Sequence, residues 1–347
     1  MGSPRPWRTS WSRVRINSLA TVIALAFGAS WAGTFLTRRF ALRLGLLDAP
    51  NQRSSHRIPT PSGGGIGFVI AAALAALVLP LQLPELWIIL LLSLVLAGVG
   101  LIDDARHVAV GARFAIQILA LAGGLTAGAF QGPHPWVGVI LLLSGVWWVN
   151  LFNFMDGIDG IAATQAIFML LAAAALAAWE RPDVVGSTSW VWMMAIAAAV
   201  TAFLLFNWPP ASIFMGDVGS TWLAYVIFFM AMISVRDGWL HVPTWLILGG
   251  VFIVDSTTTL FQRIARRVRL SEAHRSHAYQ RLSRRLKAHL PVTSLAVAIN
   301  VLWLAPWAWA VQARPGWAWA AASIAYLPLV VGAYALGAGR ADDVDRG

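Results

Sequence analysis

Residues 86–104 read LWIILLLSLVLAGVGLIDD: seventeen positions without a charge, then two adjacent carboxylates, Asp103 and Asp104. An apolar run of about that length is what an α-helix needs to cross the hydrocarbon of a bilayer. Working outward, comparable runs recur along all 347 residues, of which 59% are hydrophobic and only 12% charged. A water-soluble domain carries about 25% charged residues, so a large soluble enzyme is excluded for want of solvating surface. Apolar runs read against Gly and Pro breakers predict eleven spans, near 17–36, 63–80, 86–102, 112–130, 135–152, 160–179, 189–206, 219–235, 241–262, 292–311 and 317–337. The first follows Arg5, Arg8, Arg13 and Arg15 like a secretory signal. It is too long for one, however, and reads as the first membrane helix. The expectation is an all-α polytopic membrane protein of about eleven transmembrane helices. It forms a single domain over 1–347 with one basic loop, 263–291, inside it. There is no cysteine, and so no thiolate chemistry.

Lys and Arg set the orientation. One set of alternate loops, with Arg113 at an adjoining helix start, holds eighteen of them and the other set seven, nine of the eighteen lying in 263–291. The richer side is expected to be cytoplasmic, which puts the N-terminus outside and the C-terminus inside. The net charge of +10 is spread through loops beside apolar runs. It suits anionic headgroups and phosphate substrates, not nucleic acid.

Acidic residues are scarce, yet Asp103, Asp104, Asp156, Asp159 and Asp217 all fall at span ends on that one side. Carboxylates at membrane depth face a cavity and a partner. With few Lys or Arg beside them in sequence, the five call for a cation. Oxygen ligands without Cys point to Mg²⁺, with Mn²⁺ as the alternative.

Four further segments carry polar chemistry. In 150–162, NLFNFMDGIDGIA, Asn150, Asn153, Asp156 and Asp159 interrupt an apolar stretch, and Gly157 and Gly160 permit a tight turn close to a ligand. In 206–220, FNWPPASIFMGDVGS, Pro209 and Pro210 end one helix after Asn207, and Asp217 opens the next. The N–H groups at that helix start would suit a diphosphate if a metal bridged it to Asp217. In 274–281, HRSHAYQR, the residues His274, Arg275 and His277 are interleaved with Tyr279 and Gln280 as in a strip that recognises phosphate or sugar. Arg266, Arg267, Arg269, Arg284 and Arg285 read as headgroup contacts. In 48–65, a Pro/Gly-punctuated loop, Arg53, His56 and Arg57 suit anions.

In these segments the chain resembles the polyprenyl-phosphate N-acetylhexosamine-1-phosphate transferases, over about residues 45–285 and in consistent order. The resemblance implies ten or eleven helices, a cleft facing the cytoplasm across a bacterial inner membrane, and Mg²⁺ dependence. It implies transfer of an N-acetylhexosamine-1-phosphate from a UDP-sugar to polyprenyl (undecaprenyl) phosphate, releasing UMP and initiating a cell-surface glycan. By the same likeness Asp103, Asp104 and Asp217 are catalytic. Asp217 and Asp156 hold metal, and Asn153, Asp156, Asp159, Asn207, His274, Arg275 and His277 bind the nucleotide sugar. His107 stands where many relatives have Asp or Lys, which leaves its role open. The strip at 274–280 looks like that of the O-antigen-initiating (lipopolysaccharide) subgroup handling 6-deoxy sugars. A second copy of the chain is open as a partner.

Three alternatives remain at this stage. A CDP-alcohol phosphotransferase would continue its Asp-Gly motif with Ala-Arg and two more Asp, but Ile161 to Gln165 follow Gly160 here. A prenyltransferase would repeat spaced Asp pairs, and an ion-coupled transporter would place its carboxylates near mid-membrane.

Overall fold

The computed structural model describes residues 16–48, 58–79, 84–129, 134–268 and 275–340. The described chain is almost entirely helical. Helices α1 (Ile16–Leu44), α2 (Gly65–Val78), α3 (Pro84–Arg106), α4 (Val110–Gly124), α5 (Pro135–Phe154), α6 (Ile161–Glu180), α7 (Thr188–Asn207) and α8 (Asp217–Arg236) come first. There follow α9 (Val242–Leu248), α10 (Gly250–Ala265), α11 (Ala278–Leu286), α12 (Leu290–Ala298), α13 (Ala305–Ala313) and α14 (Ala318–Leu336). A minimal antiparallel pair, β1 (Leu47–Asp48) with β2 (Thr60–Pro61), lies between α1 and α2.

All eleven predicted runs are helical, but they do not all span alike. Among the described residues nine helices are long and apolar enough to cross a membrane, α12 and α13 being joined through a π-helical stretch. The ninth run is broken: α9 and α10 meet at 78°, and counting them as one span makes ten. The second run forms only the fourteen-residue α2. At ~1.5 Å per residue that is about 21 Å, short of the ~30 Å of hydrocarbon. Apolar composition does not separate a short helix packed among others from one that reaches both faces. Eight residues of α2 are buried, against α1, α7 and α8.

Small residues let these helices close in, as is usual where apolar burial gives no advantage over lipid. A Cβ on Gly33 of α1 would stand 2.9 Å from the Gly67 Cα of α2. Helix α8 is the most enclosed span, with α3 and α5 on one side and α2 on another. Where the α9–α10 break frees carbonyls, side chains satisfy them, as the bilayer interior demands. The Gln165 amide donates to Leu248 O at 2.8 Å, and the Tyr326 hydroxyl to Leu246 O at 2.5 Å. The end of α8 far from Asp217 is pinned by Arg236, which reaches Glu85 at 3.0 Å, Asp237 at 2.8 Å and Gly128 O at 2.8 Å.

The stretch 263–291, expected as a loop, contains α11. Its start is capped by a residue of the neighbouring helix: Asp255 of α10 accepts from the N–H groups of Ala278 and Tyr279, each at 2.9 Å. Its far side is tied to the end of α14, where Arg281 donates to Leu336 O at 3.0 Å.

Candidate active site

The site is built around the first turn of α8. Gly216 precedes it with φ +76° and ψ 168°, a region essentially reserved for glycine that costs other residues about 1–3 kcal/mol. From α3, Gly100 permits the approach: a Cβ there would lie 2.6 Å from the backbone carbonyl carbon of Asp217. One turn along α3, the Asp104 carboxylate accepts from Asp217 N at 2.8 Å and Val218 N at 3.2 Å. The N–H groups expected to hold a diphosphate are therefore already taken by Asp104, a carboxylate being what a helix N-terminus favours.

Asp217 then projects from a fixed helix start. Asn153, near the end of α5, donates to its Oδ1 at 2.8 Å and to Ser220 Oγ at 2.9 Å. Arg113 of α4 donates to its Oδ2 at 2.7 Å and, through the same Nη1, to Asp103. Asp103 also accepts from Val108 N at 2.6 Å. The expectation that these carboxylates lack a basic neighbour is thus corrected. Arg113 lies 104 residues from Asp217 in sequence, and only the packing of α4 against α3 brings it in. Sequence reasoning had counted it merely as a loop charge. The available signal was a lone Arg inside an apolar run, in 110–117, VGARFAIQ.

Asp156 sits in the turn between α5 and α6. Enclosure by the surrounding chain, and then the charges of Asp217, Asp104 and Asp159, hold its carboxyl well above the usual range. Asp159 and Asn207 are committed to the frame. Asp159 accepts from Ala211 N at 3.0 Å and stands 3.1 Å from His289 Nδ1, while its own carbonyl takes the Thr293 hydroxyl at 2.7 Å. Buried Asn207 accepts from Gly160 N and donates to Ile213 O, both at 3.0 Å. The two side chains lock the 154–161 turn to the 207–217 turn. His289, unremarked in the sequence, is the third member of that lock.

A cavity of about 520 Å³ opens from this cluster. Arg113, Asn153 and Asp217 line it, together with Ser256, His277 and Gln280 and with Val99, Phe114 and Trp147. His277 is 3% exposed and lies 3.3 Å from Asp255. Tyr279, beside it, donates to Phe154 O at 2.9 Å. Burial and then the Asp255 charge push the Tyr279 hydroxyl well up, so it remains a donor. Arg275 is not among the residues lining the cavity, although Arg284 donates to its carbonyl at 2.8 Å. His274, Arg53, His56 and Arg57 lie outside the described residues.

Asp217 and Asp156 offer oxygen ligands only. Among the described residues no three acidic or histidine groups are gathered as a metal cage. Mg²⁺ ordinarily takes one or two carboxylates and completes its shell with water and phosphate oxygens. The residues present fit an ion of that kind, shared with a substrate.

The glycosyl transferase family 4 model matches residues 86–235, a stretch that contains Asp103, Asp104, Arg113, Asn153, Asp156, Asn207 and Asp217 and stops short of His277. The chain is 28% identical to a probable undecaprenyl-phosphate N-acetylglucosaminyl 1-phosphate transferase of Bacillus subtilis, over 77% of this chain and 75% of that protein. It is 28% identical to a phospho-N-acetylmuramoyl-pentapeptide-transferase of Moorella thermoacetica, over 72% and 83%. To a decaprenyl-phosphate N-acetylglucosaminephosphotransferase of Mycobacterium tuberculosis it is 32% identical, over 60% and 58%. With its carboxylate cluster inside the matched stretch, the chain is similar over those residues to glycosyl transferase family 4, and the relatives it matches are named as polyprenyl-phosphate hexosamine-1-phosphate transferases.

Proposed function

We propose that this protein transfers an N-acetylhexosamine-1-phosphate from a UDP-sugar to undecaprenyl phosphate, giving the lipid diphosphate sugar and UMP. The observation that carries the reading is the Arg113–Asp217–Asn153 cluster on the wall of a cavity whose other lining is largely apolar. Such a wall suits a phosphate carried on a lipid. The family match over 86–235 and the relatives' names support the same reaction class.

The chemistry asked of the protein is modest. A phosphate monoester has a second pKa near 6, so the lipid phosphate is already largely ionised and needs no strong base. What opposes the reaction is the approach of two anions and the charge that builds on the transferred phosphorus. Arg113 is placed to meet that charge. Asn153 orients the Asp217 carboxylate, and Asp104 fixes the helix start from which it projects. Mg²⁺, held by Asp217 and Asp156 and by substrate phosphate, would supply charge neutralisation and alignment of the phosphate oxygens. Asp103, paired with Arg113, keeps the guanidinium at the centre between turnovers.

The relatives' names put UDP-N-acetylglucosamine first among the sugars to try, then UDP-N-acetylmuramoyl-pentapeptide. The likeness of residues 274–280 to the 6-deoxy subgroup adds UDP-6-deoxy-N-acetylhexosamines. The richer distribution of Lys and Arg supports a cytoplasmic cleft in a bacterial inner membrane, with the N-terminus outside. The test is UMP release by the purified protein with each UDP-sugar and undecaprenyl phosphate, lipid products being identified by mass. Turnover requiring both substrates and a divalent cation is expected. UMP release without the lipid, or none from any member of the panel, would sink the reading.

A further inference from the structure

The helices that carry Arg113 and Asp217 are fastened to each other at two levels. Arg113 of α4 donates to the Asp217 carboxylate of α8 at 2.7 Å. Two turns further along α8, the buried Tyr225 hydroxyl donates to Ala120 O of α4 at 3.1 Å. Residues four apart share a helix face, one turn or about 5.4 Å from each other. Thr221 therefore falls between Asp217 and Tyr225 on α8, and Gln117 between Arg113 and Ala120 on α4. Both line the cavity.

Asn150 of α5, also in the lining, decides which way the Gln117 amide is turned. Its Nδ2 donates to Val146 O at 2.8 Å and to Gln117 Oε1 at 3.1 Å. A carbonyl can only accept, so both hydrogens of that group are used and Gln117 keeps its own two N–H donors. Among the described residues no protein group accepts from Gln117 Nε2 or bonds the Thr221 hydroxyl. Neither is one of the occluded polar atoms that lack a partner, so each keeps accessible surface. A glutamine in a run as apolar as 114–124, FAIQILALAGG, is costly at membrane depth and ordinarily meets a partner there.

Depth and charge identify that partner. The Gln117, Asn150 and Thr221 tier is uncharged, lies one turn further into the spans than Arg113 and Asp217, and shares the cavity with Leu96, Phe114 and Trp147. A nucleotide sugar arrives from water, whereas a lipid phosphate arrives from the bilayer. In phosphoryl transfer the attacking and leaving oxygens lie roughly in line on opposite sides of phosphorus. With the diphosphate at Arg113 and Asp217, a phosphate one turn deeper stands on the attacking side. Neutral donors orient it without the ion pairing that would blunt its free oxygen.

We propose that Gln117, with Thr221, holds the phosphate head of the prenyl acceptor through its non-attacking oxygens. The free oxygen then forms the new bond to the sugar-bearing phosphorus, and UMP departs with the electron pair of the bond that breaks. The proposal rests on the transferase reading and gives the acceptor its place in it.

The experiment measures UMP release by the parent, Gln117→Met and Gln117→Glu, with undecaprenyl phosphate and with farnesyl phosphate. Methionine keeps the bulk and removes the donors. KM for undecaprenyl phosphate should rise about 10- to 100-fold, the worth of a hydrogen bond to a charged group, while KM for the UDP-sugar stays within twofold. The same factor is expected with farnesyl phosphate, because the head and not the chain is held. Glutamate keeps the oxygen that Asn150 donates to, so a residue that merely braced α4 against α5 would tolerate it better than methionine. A phosphate contact reverses that order: at alkaline pH, with the new carboxyl ionised, glutamate should raise the lipid KM beyond methionine. Thr221→Val tests the tier from the second helix, should a Gln117 variant not fold, and should give a smaller rise of the same selectivity. Glutamate equal to or better than methionine, a loss that falls on the UDP-sugar KM or on kcat alone, or one confined to the long-chain acceptor would overturn the proposal and leave the transferase reading standing. A parent that turns over no UDP-sugar of the earlier panel overturns that reading, and this contact with it.

Discussion

At Asp217 the two carboxylate oxygens meet different chemistry, an amide from Asn153 on one and the Arg113 guanidinium on the other. Asp217→Asn keeps the volume and removes the charge. Arg113 would remain on Asp103, and the helix start would remain capped by Asp104, so the fold has no reason to fail. UMP release should drop about 100- to 1,000-fold, as when one preorganised electrostatic partner is lost. Activity within tenfold of the parent, in a variant with an unchanged melting curve, would remove Asp217 from the centre. Arg113→Lys is the companion test. It keeps the charge but not the planar fork, and kcat/KM should fall well below the parent yet stay above that of Arg113→Ala.

The α10–α11 junction, which carries the strip proposed to meet the substrate, was only half visible in the sequence. His277 was singled out from its neighbours in 274–281, and the cavity indeed includes it. The helix that presents it was not foreseen. Its nine residues place Tyr279, Leu282 and Leu286 at helical spacing, but the segment is short and Arg-rich, and its N-terminal cap comes from Asp255, twenty-three residues upstream. The turn at 154–161 was legible for the opposite reason, since Gly and Asp stand out against an apolar background. Arg113 escaped notice because it is the one charged residue in an apolar helix, given meaning only by what packs beside it. The same contrast supplies a prediction. Arg284 and Arg285 are exposed and donate to the carbonyls of Arg275 and Leu336, away from the cavity lining, so Arg284→Gln with Arg285→Gln should change kcat/KM less than threefold. His277→Ala should cost about 100-fold if its imidazole meets the developing charge. Equal, modest losses from both variants would return the whole stretch to the role of a membrane-facing basic patch.

For the whole molecule, the nine or ten spans leave orientation as the open question, and the chain is convenient for answering it. It has no cysteine, so single cysteines placed at Arg5, outside the described residues, and at Arg340 report on their own. Nine crossings put the two positions on opposite faces, so an impermeant thiol reagent should label them from opposite sides of sealed vesicles. Labelling of both from one side would make α9–α10 a tenth crossing and refute an outside N-terminus with an inside C-terminus. The Arg113 bridge carries a further meaning at this scale. A protein in which Arg113 already meets two of the carboxylates and a helix start takes a third depends less on a bound ion to stay assembled. Its purification can run in excess EDTA, and turnover should vanish there while the thermal midpoint moves by no more than about 2 °C. Returning Mg²⁺ should then restore the rate within the mixing time, without any refolding delay. A midpoint that collapses with chelation would mean that the ion is a girder of the fold. An unmoved one would make it a reagent that arrives with the substrate and leaves with the product.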